Sequence, residues 1–226
     1  MKHYEADYQK HVKNLIQTQD YDTAMSNAVG GGWNVGNQIA DALIAEGLSS
    51  NMKVLDLGCG SGRISNFLGN KIQLADYLGI DIIDELLDYA KTKCPDHYRF
   101  EKVLDLTIPA SNNYFDFGFC FSVFTHLYLT EVFLYLKEVD RTFKPGSKFV
   151  FSFLELNTSF GNHIFEHTAN LTRLGTLEHL NAFMDRNQID YCVSKLGWKV
   201  ERYVDSTALW NSGYYNDQST CIIVKK

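Results

Sequence analysis

Three glycines at alternate positions, Gly58, Gly60 and Gly62, follow a short apolar run that begins at Val54. Backbone without Cβ atoms can turn tightly and come close to a ligand. One acid, Asp56, stands inside the run; a second, Asp81, ends the next apolar run, Tyr77-Leu78-Gly79-Ile80-Asp81, 23 positions after Gly58. A carboxylate roughly 20 residues beyond such a turn is placed to accept hydrogen bonds from ribose hydroxyls. Glycine turn and acid together predict a site for a nucleotide-like cofactor. Histidines supply the other chemistry. His126 is the best general-base candidate, because imidazole titrates near neutral pH; it could equally serve only to hydrogen-bond its own loop. His163-Ile164-Phe165-Glu166-His167 matches the inverted zinc-protease pattern, with both histidines on one helical face. A zinc site needs a third protein ligand and none is evident, so no metal is expected. His163, His167 and His179 then line a substrate pocket or are simply exposed.

The elements that must position these residues follow from periodicity. Val54 to Leu57 reads as a buried strand. A helix from Gly62 to Leu68 would aim its free N–H groups at whatever sits over the turn. Tyr77 to Asp81 is a second strand, Ile82 to Lys91 a helix, and Arg99 to Val103 a third strand. Tyr114 to Phe124 is almost wholly apolar, as a central parallel strand covered on both faces requires. An amphipathic helix spans Leu129 to Phe143. Lys144-Pro145-Gly146 ends it, and Lys148 to Leu154 is strand five. Residues 155–190 form a polar insert. A helix near Ile189 to Lys195, then strands at Leu196–Tyr203 and Ser219–Val224, complete the pattern. It is an α/β, Rossmann-like, doubly wound sheet, seven-stranded and mostly parallel, with helices on both faces.

Residues 1–47 precede this core as a helical extension. Tyr4, Tyr8, Val12, Leu15 and Ile16 give residues 1–28 a partial apolar stripe, and Gly30-Gly31-Gly32 joins them to a helix from Asn37 to Glu46, stopped by Gly47. The extension either lies over the cofactor as a lid or packs on the surface. Trp33 is then an aromatic wall of the site or an ordinary core residue. Residues 1–226 are read as one domain: the extension, a cofactor core over 52–154, the substrate-side insert, and C-terminal strands over 191–226.

The chain has 226 residues, 45% of them hydrophobic, and a net charge of −6. Its basic residues form no stripe, which disfavours nucleic acid as a partner. Five cysteines without paired spacing suit a reducing compartment. The polar N-terminus and the lack of a long apolar run make a soluble, cytoplasmic protein the expectation, with no membrane partner.

A dinucleotide fingerprint would need a third glycine three positions after the second; that place holds Arg63. Asp56-x-Gly58-x-Gly60-x-Gly62 instead resembles motif I of the class I S-adenosylmethionine-dependent methyltransferases. The resemblance runs from about Val54 to Phe153. The run from Leu136 through Arg141 to Lys144-Pro145-Gly146 is a further match, although Ser147 stands where a second glycine is common. The resemblance implies S-adenosylmethionine as cofactor and S-adenosylhomocysteine as product. It places Asp56, Gly58, Cys59, Gly60 and Gly62 at the donor, with Asp56 helping to hold the methionine amino group unless it only fixes the turn. Asp81, with Ile82 beside it, would meet the ribose. Asp105 would accept from the adenine amine and Leu106 pack on the ring, unless Asp105 merely caps a turn before Pro109. Phe121 or Ser122 would offer a carbonyl to the methionine amino group. Trp33, His126, His163 and His167 fall to the acceptor, and Tyr214 and Tyr215 could border it. The expected activity is methyl transfer to a small polar acceptor or glycan, as O-methylation of a sugar-like or other small metabolite. The alternatives are N-methylation of a small molecule and a non-catalytic binding protein of the same fold.

Overall fold

A computed structural model describes residues 3–177, 179–210, 214–215 and 217–226. Seven strands form one mixed sheet in the order β3-β2-β1-β4-β5-β7-β6. They are β1 Lys53–Leu57, β2 Asp76–Asp81, β3 Arg99–Lys102, β4 Phe115–Cys120, β5 Phe143–Phe153, β6 Trp198–Val204 and β7 Ser219–Lys225. This is the α/β, mostly parallel arrangement that the sequence predicts. The chain divides into two compact units, Met1–Asp105 with Asn211–Tyr214, and Leu106–Trp210 with Tyr215–Lys226.

In the first unit β1, β2 and β3 pair in parallel, Leu57 opposite Ile80 and Asp81 opposite Lys102. The apolar residues of β1 and the middle of β2 are buried, which is why both read as mainly apolar runs, broken in β1 only by Asp56. Helices α1 (His3–Thr18), α2 (Tyr21–Ala28) and α3 (Val35–Ala45) precede β1, α4 (Arg63–Gly69) follows it, and α5 (Asp84–Lys93) follows β2. Helix α5 carries Asp84 and Glu85 in its first turn and Lys91 and Lys93 in its last, each sign matching the local end of the helix dipole. Val12, Ala24, Met25 and Ala28 of α1 and α2 share a core with Ile83, Leu86 and Tyr89 at α5, so the extension is anchored beside the end of β2. Asp20 caps α2 by accepting from the Thr23 amide at 3.0 Å.

In the second unit β4 pairs in parallel with β5, and β7 runs antiparallel between β5 and β6. Its helices are α6 (Leu129–Thr142), α7 (Ser159–Leu174) and α8 (Arg186–Lys195). Two features differ from expectation. Lys144-Pro145-Gly146 ends α6 but does not delay the strand. β5 starts at Phe143 opposite Phe115, and its register shifts before Lys148 meets Phe117. Pro145, which has no N–H to give the ladder, and Gly146, at φ 81°, sit in that irregularity. The insert, read only as a polar stretch, holds the 16 residues of α7. Thr158 Oγ1 accepts from the Gly161 amide at its start, and Gly175 closes its end in the left-handed conformation at φ 68°. No helix among the described residues is long and apolar enough to cross a membrane.

Candidate functional site

Between β1 and α4 the chain must reverse, and Gly58, Gly60 and Gly62 do this at φ 77°, 52° and 78°. Gly62 caps α4 where a Cβ would lie 2.8 Å from Ala90 Cβ and from Cys94 Sγ, so α5 leaves no room for a side chain. The amides of Gly58 and Cys59 both donate to the Ile80 carbonyl, at 2.8 and 3.0 Å. Asp81 locks the turn from below. Its Oδ2 accepts from the Gly60 amide at 2.9 Å, and its Oδ1 accepts from the amides of Ile82 at 2.7 Å and Ile83 at 3.1 Å. Burial raises the Asp81 carboxyl above its ordinary value, while those three amide bonds pull the other way.

Asp56 is only 2% exposed. Its Oδ2 accepts from the Tyr77 hydroxyl at 2.6 Å, and Tyr77 stacks on Tyr98 with ring centroids 4.3 Å apart. Burial pushes the Asp56 carboxyl up to about 7, opposed by the Tyr77 bond. Cys59 is buried against Gly79, where a Cβ would lie 2.9 Å from the Cys59 sulfur. Burial drives its thiol well above the ordinary value, so it is no nucleophile at neutral pH. Ile82 packs on the α1–α2–α5 core. Asp105 lies exposed in a bend after β3. Trp33 makes an edge contact with Tyr89 at 5.9 Å and a tilted one with Phe67 at 6.5 Å, a packing position between α4 and α5.

In the second unit backbone strain marks two of the candidates. The described non-glycine residues with positive φ are Asn51, Asn113, Leu106 at 53° and Ser122 at 59°. Asparagine tolerates this region; leucine and serine rarely enter it, and such strain gathers at functional sites. Ser122 is held by a closed ring of bonds. Its amide donates to Ser152 Oγ at 2.9 Å, Ser152 Oγ donates to Gln218 Oε1 at 2.7 Å, and Gln218 Nε2 donates to Ser122 Oγ at 3.1 Å. The Phe121 ring lies 5.9 Å from that of Trp210. His126 Nδ1 is 2.8 Å from the Leu180 carbonyl oxygen. A carbonyl can only accept, so Nδ1 carries the proton and Nε2 is the basic nitrogen of the neutral ring. His179 stands edge-on to His126 at 5.0 Å. The segment bearing it is pinned where Ala182 donates to Thr125 and Met184 donates to Leu154. His163 and His167 are exposed on α7. Among the described residues no group of three or more His, Cys, Asp or Glu could hold a metal. The side chains of Tyr214 and Tyr215 lie outside the described residues.

Sequence reasoning missed Val29, which meets the turn at Gly60, and left Arg63 open between a surface ion pair and a functional role; Arg63 is buried. A Cβ on Gly60 would collide with Val29 Cγ1. Three glycines in a row at Gly30–Gly32 signal positive φ, but nothing in the sequence shows that their carbonyls meet Arg63.

A glycine turn between the first strand and its helix, clamped by an acid at the end of the second strand, defines a doubly wound α/β protein with a nucleotide-type site. Residues 55–151 match the methyltransferase domain family. That match covers less than half of the chain. A 48-residue stretch is 35% identical to protein 235L of Invertebrate iridescent virus 6, named as a candidate methyltransferase; the match spans 21% of this chain and 18% of that protein. Among solved structures, a methyltransferase of Methanosarcina mazei is 20% identical with a TM-score of 0.65, over 81% of this chain and 96% of that one. Magnesium protoporphyrin IX methyltransferase from Synechocystis PCC 6803, with bound S-adenosylhomocysteine, is 16% identical with a TM-score of 0.68, over 98% of this chain and 97% of that one. At these identities the structural likeness is one of fold.

Proposed function

We propose that residues 1–226 act as one methyltransferase domain that moves a methyl group from S-adenosylmethionine to a small polar acceptor. The acceptor we assign is a hydroxyl of a sugar-like or other small metabolite, with S-adenosylhomocysteine as the second product. The observation that carries this is the Gly58–Gly62 turn tied to Asp81. It presents bare backbone and a carboxylate at the carboxyl ends of two adjacent parallel strands, where open α/β sheets take their ligands.

The residues present fit the donor. A carboxylate offers about four acceptor positions, and amides take three of those on Asp81, which leaves capacity for a ribose hydroxyl. In the first unit Asp105 is assigned to the adenine amine. In the second unit Leu106 is assigned to the ring face, and the backbone of Phe121 or of the strained Ser122 to the amino-acid end. Asp56, turned to Tyr77, supports the turn from within, and Trp33 serves packing. The donor supplies a methyl group already activated on a sulfonium sulfur. What remains for the chain is to orient the acceptor, keep water out and take a proton. His126, with Nδ1 fixed on Leu180, is assigned the last task through Nε2. His163 and His167 are assigned to the polar acceptor.

A small acceptor is supported by the net charge of −6 and the scattered basic residues. Five buried cysteines that form no disulfide suit a cytoplasmic setting. Calorimetric titration with S-adenosylmethionine and S-adenosylhomocysteine tests the donor; micromolar binding of both is expected. Transfer of labelled methyl to sugars, small amines, tRNA and protein then tests the acceptor. Labelling of tRNA or protein with no small acceptor would sink that assignment.

A further inference from the structure

Arg63 and the second glycine stretch are unused by the proposed function, and they are joined. Gly30, Gly31 and Gly32 take φ of 68°, 68° and 78°, three successive residues in the left-handed region. This turn directs two carbonyls at one guanidinium. Arg63 Nη1 donates to the Gly32 carbonyl at 3.0 Å and also to the Gly30 carbonyl. Arg63 is only 9% exposed. A guanidinium withdrawn this far from water needs fixed acceptors, and here main-chain oxygens from the extension provide them. Gly36 makes room for it: a Cβ there would lie 2.6 Å from Arg63 Cγ.

The residues just before this turn meet the first one. Val29 packs directly on Gly60. The Ala28 carbonyl accepts from the Tyr8 hydroxyl at 2.8 Å. That phenol is pushed up by burial and by the charge of Asp81, and eased by that of Arg63. The bonds from Arg63 therefore decide where Val29 stands relative to the glycine turn.

We propose that Arg63 is a positioning residue of the donor site: by holding the Gly30 and Gly32 carbonyls it fixes Val29 against Gly60, and so controls how long the donor stays bound. The inference rests on the proposed donor, and its test separates the two. Two variants act on the latch from opposite sides. Arg63→Lys keeps the charge and loses the planar fork. Gly32→Ala adds a methyl group with nothing within 4 Å, so it disturbs only the left-handed backbone. Stopped-flow release of S-adenosylhomocysteine is measured, together with backbone hydrogen exchange of the donor-free protein. Both variants should release the ligand about tenfold faster, since loosening Val29 against Gly60 loosens the wall of the turn and acts on dissociation. Amides of residues 21–36 should exchange faster while those of β1 and β2 keep their protection. Unchanged release from either folded variant overturns the inference alone, as does equal loss of protection in β1 and β2, which would make Arg63 a support of the whole unit. If Arg63→Lys does not fold, Gly32→Ala decides by the same two readouts. Wild-type protein that binds neither S-adenosylmethionine nor S-adenosylhomocysteine overturns the proposed function and the inference with it.

Discussion

Two turns of the first unit are built from glycine for different reasons. At Gly58–Gly62 glycine answers both to the backbone and to crowding: Gly60 faces Val29, and Gly62 faces Ala90 and Cys94. At Gly30 and Gly32 the φ values are equally left-handed, yet a Cβ would meet nothing within 4 Å. The first turn is glycine for its backbone and also because Gly60 and Gly62 have no space for a side chain. At Gly30 and Gly32 only the backbone asks for glycine, since most side chains enter that conformation at a cost. A cradle and a strap can thus share a composition and differ in what a substitution does to them.

The largest expected effect separates the two turns. Gly62→Ala meets the left-handed penalty and two atoms at 2.8 Å, so thermal or urea unfolding should show a loss of about 3 kcal/mol. A loss below about 1 kcal/mol would mean that α5 yields easily and that the crowding is not what excludes a side chain. Asp81→Ala removes the acceptor for three amides. We expect about 2 kcal/mol of lost stability and a donor affinity weakened by ~1.5–3 kcal/mol in calorimetric titration. Unchanged affinity in the folded variant would detach the cradle from the donor.

Asp56 tests the strand beneath the cradle. Its carboxyl is raised to about 7, above an unfolded value near 4. The folded chain then keeps a proton that the unfolded chain has released. The stabilisation is complete below about pH 4 and is lost as pH rises through about 7. Unfolding of the native chain should therefore become easier between about pH 5 and pH 7, by about 2 kcal/mol. Asp56→Asn, which keeps a partner for Tyr77, should flatten that slope; an identical slope in both proteins would move its origin elsewhere. The smallest effect belongs to the strap: Gly32→Ala should cost about 1 kcal/mol of stability, measured by the same unfolding. A loss as large as that of Gly62→Ala would erase the contrast.

Much of this was readable in advance, for local reasons. Val54–Leu57 and Tyr77–Asp81 fall within a residue of β1 and β2 because buried parallel strands are mainly apolar runs. Asp81 was singled out by spacing, but its three amide partners depend on how β2 leaves the sheet, which spacing does not encode. Helix α7 lies in a stretch that reads as a polar insert, although Phe160, Ile164, Leu171 and Leu174 recur at helical spacing and Thr158 and Gly175 cap it. The start of β5 at Phe143 was missed because Pro145 and Gly146 speak for a break, and only the pairing with Phe115 shows that a bulge absorbs them. Arg63 carried no signal of its carbonyl partners, which lie over 30 residues upstream. The strain at Leu106 and Ser122 is set by tertiary context alone.

The position of β7 also bears on how the second unit comes into being. Residues Ser219–Lys225 lie between β5 and β6, antiparallel to both. They are synthesised after the two strands that they join. Until they leave the ribosome, β6, whose one neighbour in the sheet is β7, has nothing to pair with, and the facing edge of β5 stays open as well. Domains fold from the N-terminal side during synthesis, and unpaired strand edges are the surfaces through which nascent chains stick to one another. The second unit is therefore most vulnerable to aggregation in the interval between the emergence of Trp198–Val204 and that of Ser219–Lys225.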